Sequence, residues 1–202
     1  MEDRQSLRIN IRKRRAQQEP AWCETNSRLI CQHLAASHIY QHAQRIAFYL
    51  ARGNEANLVP LIENAWAANK EVYLPILGLR YSGQLWFVPC TEDTPLYKNR
   101  FGIDEPMHAP HMRRTKLRNL DLILMPLVAF DQQGNRLGMG GGFYDKTLAS
   151  LQTTSHHWSR PKRIGIAYAF QSVDALQGQA WDVPLDAVVT EQGLHWFTRG
   201  KE

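Results

Sequence analysis

The chain has 202 residues, 44% hydrophobic and 21% charged, a balance that excludes global disorder and suits one globular domain over residues 1–202. Its net charge of +5 admits nucleic acid or small polyanions such as nucleotides and polyglutamates as partners. No apolar run reaches the roughly 20 residues of a bilayer span, and Met1 to Arg15 is charged where a signal peptide is apolar, so no membrane partner and a cytoplasmic location are expected.

In chain order, residues 3–18 favour a basic helix, with Leu7 and Ile11 one turn apart. Arg4, Arg8, Ile11 and Arg15 share one face of it. Three guanidinium groups along one face repel by a few tenths of a kcal/mol per pair, which an anionic ligand would relieve; a solvated basic face or a nucleic-acid patch is the other reading. Pro20 suits the first turn of a second helix reaching about His38. Arg45–Leu50 reads as a strand, Leu58–Trp66 as an amphipathic helix and Glu71–Ile76 as a second strand, which together make a β-α-β unit. Leu85–Val88 is a further short strand. Thr91 to Arg118 is polar, proline-punctuated and more loop than element.

Leu120 to Val128 is an apolar run of buried-strand length, followed by Arg136-Leu137-Gly138-Met139-Gly140-Gly141-Gly142-Phe143-Tyr144-Asp145 and then helical residues to Leu151. Strands over Arg163–Tyr168, Ala187–Thr190 and Gly193–Phe197 complete the pattern. Strands interleaved with helices predict an α/β class: a single three-layer domain with a mainly parallel twisted sheet and ligands beyond the strand C-termini.

The glycine segment fits neither G-x-x-x-x-G-K-[ST] nor G-x-G-x-x-G. Its dense spacing suggests a nest of backbone N–H groups at a helix start, with Arg136 as a charge partner and Asp145 as a magnesium ligand. A glycine-rich hairpin or tight connection, with Asp145 as a helix-start carboxylate, is the competing reading. Glu55, past a strand end, is a ligand carboxylate or a helix-start charge; Asp182 alone reads as a turn residue. Cys23, Cys31 and Cys90 form no C-x-x-C pair and read as ordinary thiols. His38 and His42 lack the H-E-x-x-H context and read as a surface pair. His108, His111, His156 and His157 have no diagnostic spacing, and Trp66, Trp86 and Trp196 read as core or near-core.

Met125-Pro126-Leu127-Val128-Ala129-Phe130-Asp131, Gly134-Asn135-Arg136-Leu137-Gly138 and Gly140-Gly141-Gly142-Phe143-Tyr144-Asp145 resemble the hallmark block of 5-formyltetrahydrofolate cyclo-ligases, also called 5,10-methenyltetrahydrofolate synthetases. The basic N-terminal helix, Phe48-Tyr49-Leu50 with Glu55, Gly102-Ile103-Asp104-Glu105-Pro106 and Trp181-Asp182-Val183-Pro184-Leu185-Asp186 extend the likeness over nearly the whole chain. The resemblance implies a fold related to sugar-phosphate isomerases and CoA transferases. It also implies an ATP- and Mg²⁺-dependent ligase that makes 5,10-methenyltetrahydrofolate from 5-formyltetrahydrofolate (folinic acid), with or without a polyglutamate tail, and releases ADP and phosphate. In that mechanism the formyl oxygen attacks the γ-phosphate and N10 closes the ring.

For ATP the resemblance implies Arg4, Gln5, Ser6, Leu7 and Arg8 from the helix, with Arg136, Leu137, Gly138, Met139, Gly140, Gly141, Gly142, Phe143 and Tyr144 from the loop. It implies Leu50, Glu55, Phe101, Met139, Gly140, Gly141, Gly142 and Phe143 at the folate, Asp145 and Asp182 at Mg²⁺, and Arg8, Arg136 and Tyr144 in catalysis. Some relatives carry Lys at the Gly141 position, so another cation must supply one phosphate contact, and many carry Tyr at the Phe143 position. A monomer that binds no nucleic acid is expected, with oligomers left open. The competing functions are a sugar-phosphate isomerase-like enzyme, needing neither ATP nor metal, and a basic nucleic-acid-binding module, for which the glycine loop has no use. On the metal reading, Asp145→Asn weakens magnesium-dependent turnover and leaves the fold intact.

Overall fold

The computed structural model describes residues 3–78, 83–100, 102–107, 114–152 and 161–198. Helix α1 (Arg4–Ala16) starts at Asp3, whose carboxylate accepts from the N–H groups of Gln5 and Ser6, and ends on Lys13, Arg14 and Arg15, cations that complement the helix dipole. Helix α2 (Pro20–Ala35) has proline in its first turn. Its expected continuation to His38 is interrupted because the Ser37 hydroxyl donates to Leu34 O and caps a separate α3 (His38–His42).

Strand β1 (Arg45–Ala47) is shorter than expected; α4 (Val59–Ala67), β2 (Glu71–Leu77) and β3 (Leu85–Pro89) follow as read. The polar segment after Cys90 holds a hairpin, β4 (Leu96–Lys98) with β5 (Asp104–Pro106). The buried Glu105 anchors it: its carboxylate accepts from Leu77 N, Asn99 Nδ2 and Tyr97 Oη. Next come β6 (Leu122–Pro126), the hairpin β7 (Ala129–Phe130) and β8 (Arg136–Leu137), α5 (Phe143–Gln152), β9 (Lys162–Ile166), β10 (Ala187–Thr190) and β11 (Gly193–Trp196).

Seven strands form one sheet in the order β11-β10-β9-β6-β1-β2-β3. The run from β10 to β2 is parallel, and the two edge strands, β11 and β3, are antiparallel. Side chains alternate across it with the two-residue strand period. Ile46, Val72, Leu74, Leu122, Leu124, Ile164, Ile166 and Val189 face α2, α3 and α4, whereas Ala47, Tyr73, Ile123, Met125 and Val188 face α5 and its neighbours. These are the expected three layers of an α/β fold. Helix α1 belongs to neither face: Leu7 and Ile11 join Val128, Ala129, Leu137 and Leu176 in a third cluster just past the C-terminal end of β6.

Cys31 and Cys90 are buried and Cys23 half-buried, all as free thiols, and His38 and His42 are an exposed stacked pair. Trp66 packs against the core, but Trp196 is exposed on edge strand β11, contrary to its core reading.

Candidate functional site

The hairpin between β6 and the glycines was not foreseen. The buried Asp131 organises it by accepting from Gln133 N, Asn135 N, Asn135 Nδ2 and Leu176 N. The glycine loop therefore leaves β8, not the buried strand β6, and enters α5. Gly140 (φ +102°) and Gly142 (φ +64°) adopt backbone conformations that side chains disfavour. Gly141 is constrained differently: a Cβ there would lie 2.6 Å from the Phe143 ring, which folds back over it. Among the described residues, no N–H of residues 139 to 142 has a protein acceptor. Four consecutive unpaired donors at a helix start are suited to an anion.

Three cations surround this loop. The Arg8 Nε donates to Gly138 O at 2.9 Å. Burial, followed by repulsion from Arg4, lowers the Arg8 pKa from its ordinary value. Arg4 Nη1 donates to Asp182 Oδ2 and Gln177 O, both at 2.7 Å. Arg136, with a side chain only 4% exposed, donates to Val183 O and, through Nη2, to Asp145 Oδ1 at 2.6 Å. Asp145 Oδ1 also accepts from Val183 N at 3.2 Å, and Asp182 Oδ2 from Gln179 N at 3.0 Å. The two expected metal carboxylates are thus braced by arginines through one oxygen each. Their second oxygens accept no hydrogen bond among the described residues.

The basic face of α1 is packed against the protein, and its cations are paired there rather than solvated. At its far end, Arg15 is buried and reaches Glu55 Oε1 at 3.4 Å and Leu127 O at 3.5 Å. Glu55 Oε2 accepts from Arg52 N at 3.0 Å. Asn54 Nδ2 donates to both Arg15 O and Gln18 O at 3.1 Å, so residues 52–55 close over the end of α1. The Tyr144 hydroxyl has no hydrogen-bond partner among the described residues. Its pKa is raised by burial, then by the Glu55 charge, and opposed by Arg136. Tyr49, whose hydroxyl donates to Ala56 O, is shifted upward for the same first two reasons.

Arg4, Arg8, Arg136, Gly138 to Phe143, Asp145 and Asp182 are joined by these contacts around the loop, with Tyr144 electrostatically coupled to Glu55. Other expected residues face elsewhere. The side chains of Leu7 and Leu137 lie in the apolar cluster under α1, leaving only their backbone for a ligand, and Leu50 packs against the main core. Ser6 donates to the Asp3 carboxylate and Gln5 Oε1 accepts from Arg8. Met139 is exposed at the loop tip. Phe101 lies outside the described residues, as do His108, His111, His156 and His157. Arg15 and Asn54 were not singled out for the site, although the Arg4/Arg8/Ile11/Arg15 spacing already put Arg15 on the packed face. No group of three or more His, Cys, Asp or Glu side chains suited to a metal occurs among the described residues. No helix among them is long and apolar enough to cross a membrane.

A sequence model of the 5-formyltetrahydrofolate cyclo-ligase family matches residues 1–191. The chain is 40% identical over 192 residues to the 5-formyltetrahydrofolate cyclo-ligase of Haemophilus influenzae, covering 90% of this chain and 94% of that one. It is 43% identical over 148 residues to the Escherichia coli protein of that name, with 73% and 78% covered. Its structure resembles that of Aquifex aeolicus 5,10-methenyltetrahydrofolate synthetase with a TM-score of 0.80 at 27% identity, over 98% of this chain and 95% of the other. A Mycoplasma pneumoniae protein described as a 5,10-methenyltetrahydrofolate synthetase shares the fold at a TM-score of 0.72 and 23% identity, over 94% and 99%.

Proposed function

The chain belongs to the 5-formyltetrahydrofolate cyclo-ligase family, and from that premise we propose that it converts 5-formyltetrahydrofolate to 5,10-methenyltetrahydrofolate, consuming ATP and releasing ADP and phosphate. The observation that carries the reading is the row of N–H groups at residues 139 to 142, without an acceptor among the described residues, at the start of α5 and beside Arg8. These donors hold the phosphates in line. Arg8 and Arg4 supply positive charge from α1, and Glu55 accepts from the donor-rich edge of the pterin.

Such a reaction needs no protein nucleophile. The formyl oxygen on N5 attacks the γ-phosphate and ADP leaves; N10 then attacks the activated formyl carbon, loses its proton, and phosphate departs. Orientation and charge neutralisation supply the catalysis. Tyr144, whose hydroxyl has no hydrogen-bond partner among the described residues, is a donor offered to the substrates. Arg136 is too enclosed to be an open phosphate ligand; it acts by fixing Asp145 and the backbone at Val183.

Asp145 and Asp182 fit a magnesium ion that arrives with the nucleotide, since Mg²⁺ takes one or two carboxylates besides phosphates and water and each aspartate keeps one oxygen without a partner among the described residues. Mg²⁺ bound there would offset charge on the phosphates. A monomeric cytoplasmic enzyme acting on a free or polyglutamylated folate, without nucleic acid, completes the proposal. Mixing the protein with 5-formyltetrahydrofolate and MgATP tests it: methenyl absorbance should rise in step with ADP. A folded preparation that produces neither would remove the proposal.

A further inference from the structure

Helix α1 is fixed to the glycine loop at one end and to the Glu55 segment at the other. The Arg8 guanidinium holds Gly138 O, while Arg15, two turns on and about 10 Å along the axis, meets Glu55. The attachment at the second end is already supplied by Asn54, which bonds two carbonyls of the helix end, and by Ile11 in the apolar cluster. The Arg15–Glu55 pair is therefore redundant for docking the helix.

It is also poorly arranged for stability. Side chains 9% and 10% exposed have both lost most of their hydration, yet meet at 3.4 Å, with a second arginine contact at 3.5 Å. A buried ion pair offsets its desolvation only when its hydrogen bonds are short and complete. What the geometry does achieve is orientation. Arg15 takes Oε1 and Arg52 N takes Oε2, fixing the plane of the carboxylate.

We propose that Arg15 is a positioning residue for the folate site: it does not touch substrate but holds the Glu55 carboxylate in the plane that receives the pterin. This rests on the reading of Glu55 as the folate-side acceptor. The consequence is a division of labour along one helix, Arg4 and Arg8 serving the nucleotide and Arg15 the folate. A purely structural arginine would weaken both sites together.

The test is a double-mutant cycle on Arg15→Met, Glu55→Gln and their combination, with Arg15→Lys as the conservative variant. KM values for 5-formyltetrahydrofolate and MgATP are read alongside equilibrium dissociation constants. Arg15→Met should raise the folate constants about tenfold, the loss of roughly one well-placed hydrogen bond, while the MgATP constants move less than about twofold. Arg15→Lys should recover part of the loss, and the double variant should bind folate no worse than Glu55→Gln alone. Equal losses for both substrates, or additive losses in the double variant, would overturn the proposal. If Arg15→Met fails to unfold cooperatively, the cycle is run with Arg15→Lys, where additivity has the same meaning. Wild-type protein that binds folate without turnover defeats the cyclo-ligase reaction and leaves this comparison readable from dissociation constants. Protein that binds no folate defeats both.

Discussion

Asp145→Asn separates the two things its carboxylate does. The amide oxygen keeps an acceptor for Arg136 Nη2 and Val183 N, so the shape of the junction survives and the negative charge is lost. Bonds to charged partners contribute roughly 1.5–3 kcal/mol against about 0.5–1.5 for neutral ones, a difference near 1 kcal/mol. Arg136, its side chain only 4% exposed, is then left without its countercharge, and breaking a buried pair costs about 3–5 kcal/mol. Asp145 retains 21% exposure, so water screens part of that loss and about 2–3 kcal/mol in total is expected. For a chain of this size 1 kcal/mol moves Tm by about 2–4 °C, which gives a fall of roughly 5–10 °C without nucleotide. Asp145→Ala, which also orphans Val183 N, should fall further. Circular dichroism melts check this, and the Tm rise on adding MgATP should be smaller in Asp145→Asn than in wild type if the second oxygen meets the metal. An Asp145→Asn melt within about 2 °C of wild type would refute the argument, and the ion pair would carry no net stability.

Other substitutions probe the packing. A Cβ on Gly165, in the middle of β9, would lie 2.7 Å from both Leu127 Cδ2 and Leu185 Cδ1; Gly165→Ala should lose about 1–3 kcal/mol to overpacking, read as a lower urea midpoint at unchanged m. Gly141→Ala must displace the Phe143 ring from the loop, so it should change both substrate constants while thermal stability moves little; unaltered kinetics would free the ring from any role. Burial pushes Cys31 up to about 11 and Tyr40, Tyr73 and Tyr168 up to about 12, while Tyr49 and Tyr144 are raised as well. Each binds its proton more tightly folded than unfolded, so the stability they contribute is complete below their ordinary pKa values and is lost as pH climbs through the raised ones. Denaturant midpoints should therefore fall from about pH 9 upward, with Cys31 and the likewise raised Cys90 first; a flat profile to pH 12 would contradict it.

The parallel core of the fold was legible because its strands are short apolar runs separated by helices, and period alone assigns Ile46 and Ala47 or Leu124 and Met125 to opposite faces. The β7–β8 hairpin was not, since two-residue strands leave no periodicity, and its organiser Asp131 resembles any turn aspartate until its four donors are seen. The glycine loop could be recognised from spacing and family likeness, yet the reason Gly141 lacks a side chain lies in where the Phe143 ring turns. The arginine stripe of α1 marked the face that packs against the protein, but its partners stand far away in sequence, and no local pattern reveals which group each cation meets.

Those separations have a consequence for how the protein is made. Arg4 meets Gln177 and Asp182, Arg8 meets Gly138, and Arg15 meets Leu127, contacts spanning from 112 to 178 residues. Helix α1 is made at least 112 residues before these partners and waits for them. Long-range closures of this kind slow folding, and until then the helix carries its exposed Leu7 and Ile11 face through synthesis, at risk of docking elsewhere. The contacts between helix α1 and the rest of the molecule are therefore among the closures that form late, after Gln177 and Asp182 have been made.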